Sequence, residues 1–258
     1  MIRVGVGSGQ GQSGARRSAD RRLRLWAVLV DAARGGAVAV DHVCAAAGSV
    51  AGVDSAAVAV ILDATPRKLV YATDRTASEL EDLTLTLGEG PCVDATTGGP
   101  VLVTDLTVPE CRNRWPVFAP AAVLAGAGAV FALPLRVGGI RLGVLDLYRA
   151  RAGDLGAEQL ADALVLADTA CAVLLDDATR HGVDRDDQWP EGAGLHHPEV
   201  HQATGMITVQ LGLTAAVALI WLRAYAYSQD RCLRDVAADV VARRLHLGPA
   251  GTPGDRDE

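Results

Sequence analysis

The cysteines, histidines and arginines of this 258-residue chain are the side chains best suited to chemistry, and their spacing limits what that chemistry can be. Cys44, Cys92, Cys111, Cys171 and Cys232 are odd in number and form no C-x-x-C pair. That fits neither a disulfide framework nor a zinc ribbon, so most are expected to be small core hydrophobes. Cys92 stands apart because it follows Gly88-Glu89-Gly90-Pro91. The glycines allow a tight turn and Pro91 can open a helix, which would place the thiol near a helix N-terminus, where the thiolate is favoured. Trp115 and Phe118 could line a small-molecule cavity or fill the core; with Cys92 they are the candidates for ligand or redox sensing. Glu89, Asp94 and Asp105 read as capping and turn residues. His196, His197 and His201 give H-H-x-x-x-H with no cysteine or carboxylate partner at metal-site spacing, so no metal is expected. Gly5-x-Gly7-x-Gly9 precedes no strand–helix unit of a dinucleotide site, and no cofactor is expected. The Ser, His and Asp residues show no nucleophile elbow, so no residue is assigned a catalytic role and the chain is not expected to be an enzyme.

Composition narrows the setting. Half the residues are apolar and 21% are charged, which excludes a disordered or collagen-like chain. No apolar run approaches the ~18–20 residues of a membrane span, since even Val50 to Leu62 carries Asp54. Met1 to Asp20 lacks the apolar stretch of a signal peptide, and a cytoplasmic protein without a membrane partner is expected. The net charge of −7 is uneven: residues 1–25 sum to +5, residues 26–175 to −7, residues 176–197 to −4 and residues 198–247 to +1. The C-terminal region is thus the least acidic folded part and follows an acidic spacer.

These residues need elements to position them. Periodicity predicts helices over 20–34 and 38–49, then a hairpin of Ser55 to Leu62 and Lys68 to Ala72 through Thr65-Pro66-Arg67. A helix over Thr76 to Thr86 follows, then a short strand Val101 to Val103, a helix over Val117 to Leu124 and a strand Val130 to Val137. Gly138-Gly139 is a good two-residue turn into Ile140 to Tyr148, and Ala157 to Leu175 closes as a long helix. Beyond a Gly-, Pro- and Asp-rich stretch, Val200 to Gln210, Thr214 to Tyr227 and Cys232 to Leu245 read as three helices, with Thr214 and Asp230 as N-caps. The second of these is expected to bury Val217, Ile220, Trp221 and Ala224, the third Leu233, Val236, Val240 and Leu245. The expected fold class is an α+β domain, a central antiparallel sheet flanked by helices, followed by an all-α three-helix module. The divisions are a disordered tail at 1–19, the α+β domain at 20–178, a linker at 179–197, the helical module at 198–247 and a disordered tail at 248–258.

With those elements in place, two resemblances emerge. Val200 to Leu247 resembles the ANTAR domain, a three-helix RNA-binding module of bacterial transcription antiterminators. The match is carried by Gln202-Ala203-x-Gly205-Met206, by Leu222-Arg223 followed by Ala226, and by Leu233-x-x-Val236-Ala237. Thr204 stands where lysine is common in that family, which removes a cation that could meet phosphate. Val38 to Leu175 resembles a GAF domain of the type fused to ANTAR modules in actinobacterial regulators. Its motifs are Leu87-Gly88-Glu89-Gly90-Pro91-Cys92, Asp105-Leu106, Arg114-Trp115-Pro116-x-Phe118, and the hairpin Phe131-Ala132-Leu133-Pro134-Leu135 through Gly143-Val144-Leu145-Asp146-Leu147.

The resemblances imply a signal-responsive antiterminator in which the GAF-like sensor controls a module that binds paired RNA hairpins in nascent transcripts. Unstacked loop bases suit such a surface. By motif match the RNA-contact role falls on Ala203, Gly205, Met206 and Arg223, with Tyr225 as a stacking residue and Arg231 and Arg234 as phosphate contacts. The thin basic footprint points to a homodimer that engages two hairpins, built through the helices at 20–34 and 157–178. The signal would be a small molecule or a redox change at the GAF domain. The alternatives are a thiol enzyme resembling GAF-fold reductases of free methionine sulfoxide, through Cys92 and Cys111, or a module kept only for protein–protein contact.

Overall fold

A computed structural model describes residues 9–62, 65–181 and 198–248. Helices α1 (Gly9–Ala32) and α2 (Val40–Ala51) lead into the hairpin β1 (Ser55–Leu62) and β2 (Thr65–Ala72). Then come α3 (Arg75–Leu87), α4 (Pro91–Thr97), β3 (Val101–Val103), α5 (Pro109–Arg114), α6 (Phe118–Leu124), β4 (Ala129–Val137), β5 (Ile140–Arg149) and α7 (Ala157–His181). The C-terminal module consists of α8 (Pro198–Leu211), α9 (Ala215–Ser228) and α10 (Leu233–Val241). The five strands form one antiparallel sheet in the order β2-β1-β5-β4-β3, as the α+β expectation required. Pro66 is tolerated because β2 is an edge strand, where a missing N–H breaks no central ladder.

The period of two along β4 and β5 divides the sheet into two faces. Phe131, Leu133, Leu135, Leu145 and Leu147 point to one side and pack with Leu29 of α1, Val43 and Cys44 of α2, and Leu166, Ala170 and Cys171 of α7. Val130, Ala132, Val144, Asp146 and Tyr148 point to the other, where α3, α4 and α6 lie. Helix α1 is fastened to α7 by Arg21 and Arg24, whose guanidinium groups meet the Asp162 carboxylate at 2.9 and 2.7 Å.

Several elements differ from expectation. Helix α1 begins at Gly9, so residues 9–19, read as tail, are helical; this Gln-, Ala- and Arg-containing run lacks an apolar stripe. Helix α7 continues to His181, past the boundary expected at 178. Short α4 and α5 each start with a proline at their first position, which suits an N–H that has no helical partner. Helix α10 stops at Val241 because Arg243 turns left-handed at φ 57°. Thr214 caps α9 as expected, accepting from the Val217 N–H at 3.4 Å. Asp230 does not cap α10: it sits in the preceding turn at φ 51°, and Cys232 takes the N-cap position. The face of α9 is also rotated. Ala218, Leu222 and Ala226 are buried, whereas Ile220 is 60% exposed, Val217 38%, and Ala224 is exposed too. Small residues at this spacing let the helices approach closely, and that closeness overrides the bulkier stripe. Residues 1–8, the 182–197 part of the expected linker and 249–258 lie outside the described residues, as do His196 and His197. Among the described residues, no single helix is long and apolar enough to cross a membrane.

Candidate functional site

The inner face of α3 carries a buried ionic cluster. Arg67 Nη2 reaches Glu81 Oε2 at 2.7 Å and Asp146 Oδ2 at 2.5 Å, and the Tyr148 hydroxyl donates to Glu81 Oε1 at 2.8 Å. Thr84 Oγ1 lies 3.2 Å from Cys92 Sγ. Burial pushes the Asp146 carboxyl well above the usual carboxylate range; Arg67 pulls it back and Glu81 adds to the rise. Among the described residues, Arg67 Nη1 and Asp146 Oδ1 are buried without a hydrogen-bond partner. Sequence reading missed this cluster, although a lone carboxylate inside the run Gly143-Val144-Leu145-Asp146-Leu147, buried on both faces, was its visible signal.

Cys92 enters α4 just after Pro91, as foreseen, but it is fully buried. Burial pushes its thiol up to about 12, reinforced by Asp146 and opposed by Arg67. A short helix N-terminus cannot offset that desolvation, and the expected low-pKa thiolate is corrected. Phe118 is also fully buried, its ring against Gly90, where φ is +132° and an added Cβ would stand 3.2 Å from the ring. It packs in the core cluster on this face of the sheet. Trp115 donates from Nε1 to Asp94 at 3.2 Å and borders a cleft of about 570 Å³ with Asp94, Asp105, Cys111 and Arg114. Glu89 does cap, accepting from the Val117 and Phe118 N–H groups at 2.8 and 2.6 Å, and Asp105 accepts from Thr107 N at 2.8 Å.

The helical module sets its candidate residues apart from one another. Gly205 and Met206 border a groove of about 820 Å³ between α8 and the end of α10, with Gln202, Val209, Arg243 and His246. Nothing lies within 4 Å of where a Gly205 Cβ would stand, and Val209 is 85% exposed. Ala203, by contrast, is fully buried in the module's own core, so direct contact with RNA is corrected to packing. Thr204 is buried too, its hydroxyl donating to Val200 O at 2.7 Å, so a lysine there would have to snorkel outward. Tyr225 packs against the same core. Arg231 is held by Asp239 at 2.6 Å in the turn before α10.

Arg223 and Arg234 lie on another side, against the sheet domain. Arg223 Nε donates to the Leu85 carbonyl of α3 at 2.9 Å, and burial lowers its pKa. Arg234 Nη1 is 4.0 Å from Asp82 Oδ2. Gln202 belongs to the quoted motif but carried no contact role, and the sequence did not mark Arg243 and His246; these two follow a helix end that periodicity carries on to Leu245.

A GAF domain family model matches residues 37–175, and an ANTAR domain model matches residues 192–241. The chain belongs to the GAF family and carries an ANTAR domain. No curated protein matches it. Among solved structures it is similar to the GAF domain of a phosphoenolpyruvate-protein phosphotransferase from Coxiella burnetii, with 16% identity over 63% of this chain and 97% of that one and a TM-score of 0.49. It is similar to the second GAF domain of DevS from Mycobacterium smegmatis, with 24% identity, 54% and 92% coverage and a TM-score of 0.38. A type II free methionine-R-sulfoxide reductase from Thermoplasma acidophilum aligns at 16% identity, 62% and 95% coverage and a TM-score of 0.37. GAF and ANTAR domains are typically regulatory, serving signal transduction and transcription regulation, and an ANTAR domain implies RNA binding.

Proposed function

We propose that the protein is a signal-responsive transcription antiterminator of the cytoplasm, in which the GAF domain controls an ANTAR domain that binds paired hairpins of nascent RNA. The observation that carries the reading is the open groove at Gly205 and Met206, inside the segment matched by the ANTAR model. Its apolar floor suits the face of an unstacked base, the Gln202 amide suits a base edge, and Arg243 suits phosphate. The RNA contacts proposed are therefore Gly205, Met206 and Arg243, with Arg231, in the turn before α10, as a more distant phosphate contact. A homodimer is supported by the exposed stripe of Leu23, Trp26 and Val30 on α1, spaced to form one apolar face for a second copy. The GAF signal would be a small molecule in the cleft beside Trp115, since the full burial of Cys92, which also pushes its thiol pKa up, opposes thiolate chemistry and with it the reductase alternative.

The test is titration of the purified chain with a tandem-hairpin RNA from the leader of its own operon, across salt, beside a scrambled RNA. Tight binding that falls with salt and drops at least about tenfold in Gly205→Leu is expected. Equal binding of the scrambled RNA, or a Gly205→Leu variant that binds like wild type, would overturn the reading.

A further inference from the structure

We propose that helix α3 of the GAF domain is a working part of the RNA-binding module, holding α10 in place and through it the groove. The inference rests on the RNA reading above. Three contacts carry it. Leu85 belongs to α3, yet it is a buried member of the ANTAR core, where α3 meets α9 and α10. The Thr86 hydroxyl accepts from the Leu233 N–H at 3.2 Å. Leu233 opens α10, whose own N-cap Cys232 makes no side-chain cap bond, so a GAF threonine supplies an acceptor that an ANTAR helix needs. The third contact is Arg223 on the Leu85 carbonyl, a cation at the C-terminal end of α3, where the helix presents unpaired carbonyls. Gly88 leaves room for it: an added Cβ would stand 2.7 Å from Arg223 Nη1.

These contacts reach the groove because α10 has only nine residues. A helix this short draws its stability from its ends and its packing. Its start is capped by Thr86, and Val240 near its end lines the groove together with Arg243 and His246 just beyond. Loosening α3 therefore frays α10 and weakens RNA binding; the docked arrangement is the RNA-competent one. The inner face of the same helix carries Glu81 and Thr84, so a change at the buried cluster around Arg67 and Cys92 is one turn from the residues that hold α10. Thr86 and Leu85 are positioning residues, acting on RNA through α10.

The experiment compares full-length wild type with Thr86→Val, Thr86→Ser and Leu85→Ala, measuring affinity for the same tandem-hairpin RNA and amide exchange along α10. Thr86→Val keeps the shape and loses the acceptor, so RNA affinity should fall about fivefold and exchange in Leu233 to Val236 should quicken by a similar factor. Exchange in α2 and α7 should stay at wild-type rates. Thr86→Ser retains the oxygen and should restore both, while Leu85→Ala should cost about tenfold or more in affinity. Wild-type or tighter RNA binding by Thr86→Val and Leu85→Ala overturns the inference and leaves the RNA reading standing. No RNA bound by wild type overturns both at once, and unchanged α10 exchange in Thr86→Val overturns the cap by itself.

Discussion

The two faces of the sheet are built on opposite principles. The face under α1, α2 and α7 has an apolar centre, with Phe131, Leu133, Leu145 and Leu147 meeting Leu29, Val43 and Leu166, and a cation, Arg149, only at its edge over the Phe131 ring. The face under α3 and α4 buries Arg67, Glu81 and Asp146 among Tyr148, Thr84 and Cys92. An apolar core tolerates any arrangement that fills its volume, whereas a buried ion set is stable only while each member keeps its partners. One face thus serves as scaffold, and the other is sensitive to small changes, which is where the helix touching the ANTAR domain lies.

That contrast can be broken by substitution. Phe131→Ala on the apolar face should lower the unfolding free energy by about 3–5 kcal/mol at every pH, measured by denaturant titration. Arg67→Ala on the other face should cost a similar ~3–5 kcal/mol, because it strands two buried carboxyls, but replacing Arg67, Glu81 and Asp146 together by apolar residues of similar volume should recover most of it. A triple variant no more stable than Arg67→Ala would show that the charges are irreplaceable and the contrast misdrawn.

A finer comparison uses pH. The Asp146 carboxyl is raised by burial, so its folded form prefers the proton more than its unfolded form does. Its contribution is full below the ordinary carboxylate value of about 3.9 and is lost as pH rises through the raised value. Wild type should therefore lose stability relative to Asp146→Asn over that range, and parallel curves would contradict the assignment. Thiol labelling gives a further measure: with a pKa near 12, Cys92 should stay unalkylated at pH 8, as should Cys44 on the apolar face, while exposed Cys232 reacts. Labelling of Cys92 but not Cys44 would mean that the polar face opens by itself. The smallest effect is expected for Thr84→Val, about 1 kcal/mol, from loss of the hydroxyl facing Cys92.

Local patterns told most of the fold. Alternation in β4 and β5 with Gly138-Gly139 between them named the central hairpin, because a buried face forces period two. What failed needed knowledge of a third element. Ile220 looks like core on its own helix, yet α8 and α10 approach along Ala218 and Ala226 instead. The Gly205–Met206 motif marked the groove, but Arg243 and His246 reach it only because the chain turns left-handed after α10. Arg223 shows the limit best: its partner is a backbone carbonyl 138 positions away, which no spacing encodes.

Leu85 sits in a core whose other buried members all come from residues 200–247, which bears on how portable the ANTAR segment is. Excised at residue 198, it would leave that side chain behind, with a hole where Leu85 had been and an N–H at Leu233 turned to water. The chain is thus one machine with overlapping parts, and grafting residues 198–247 onto another sensor would require a leucine and a threonine to travel with them.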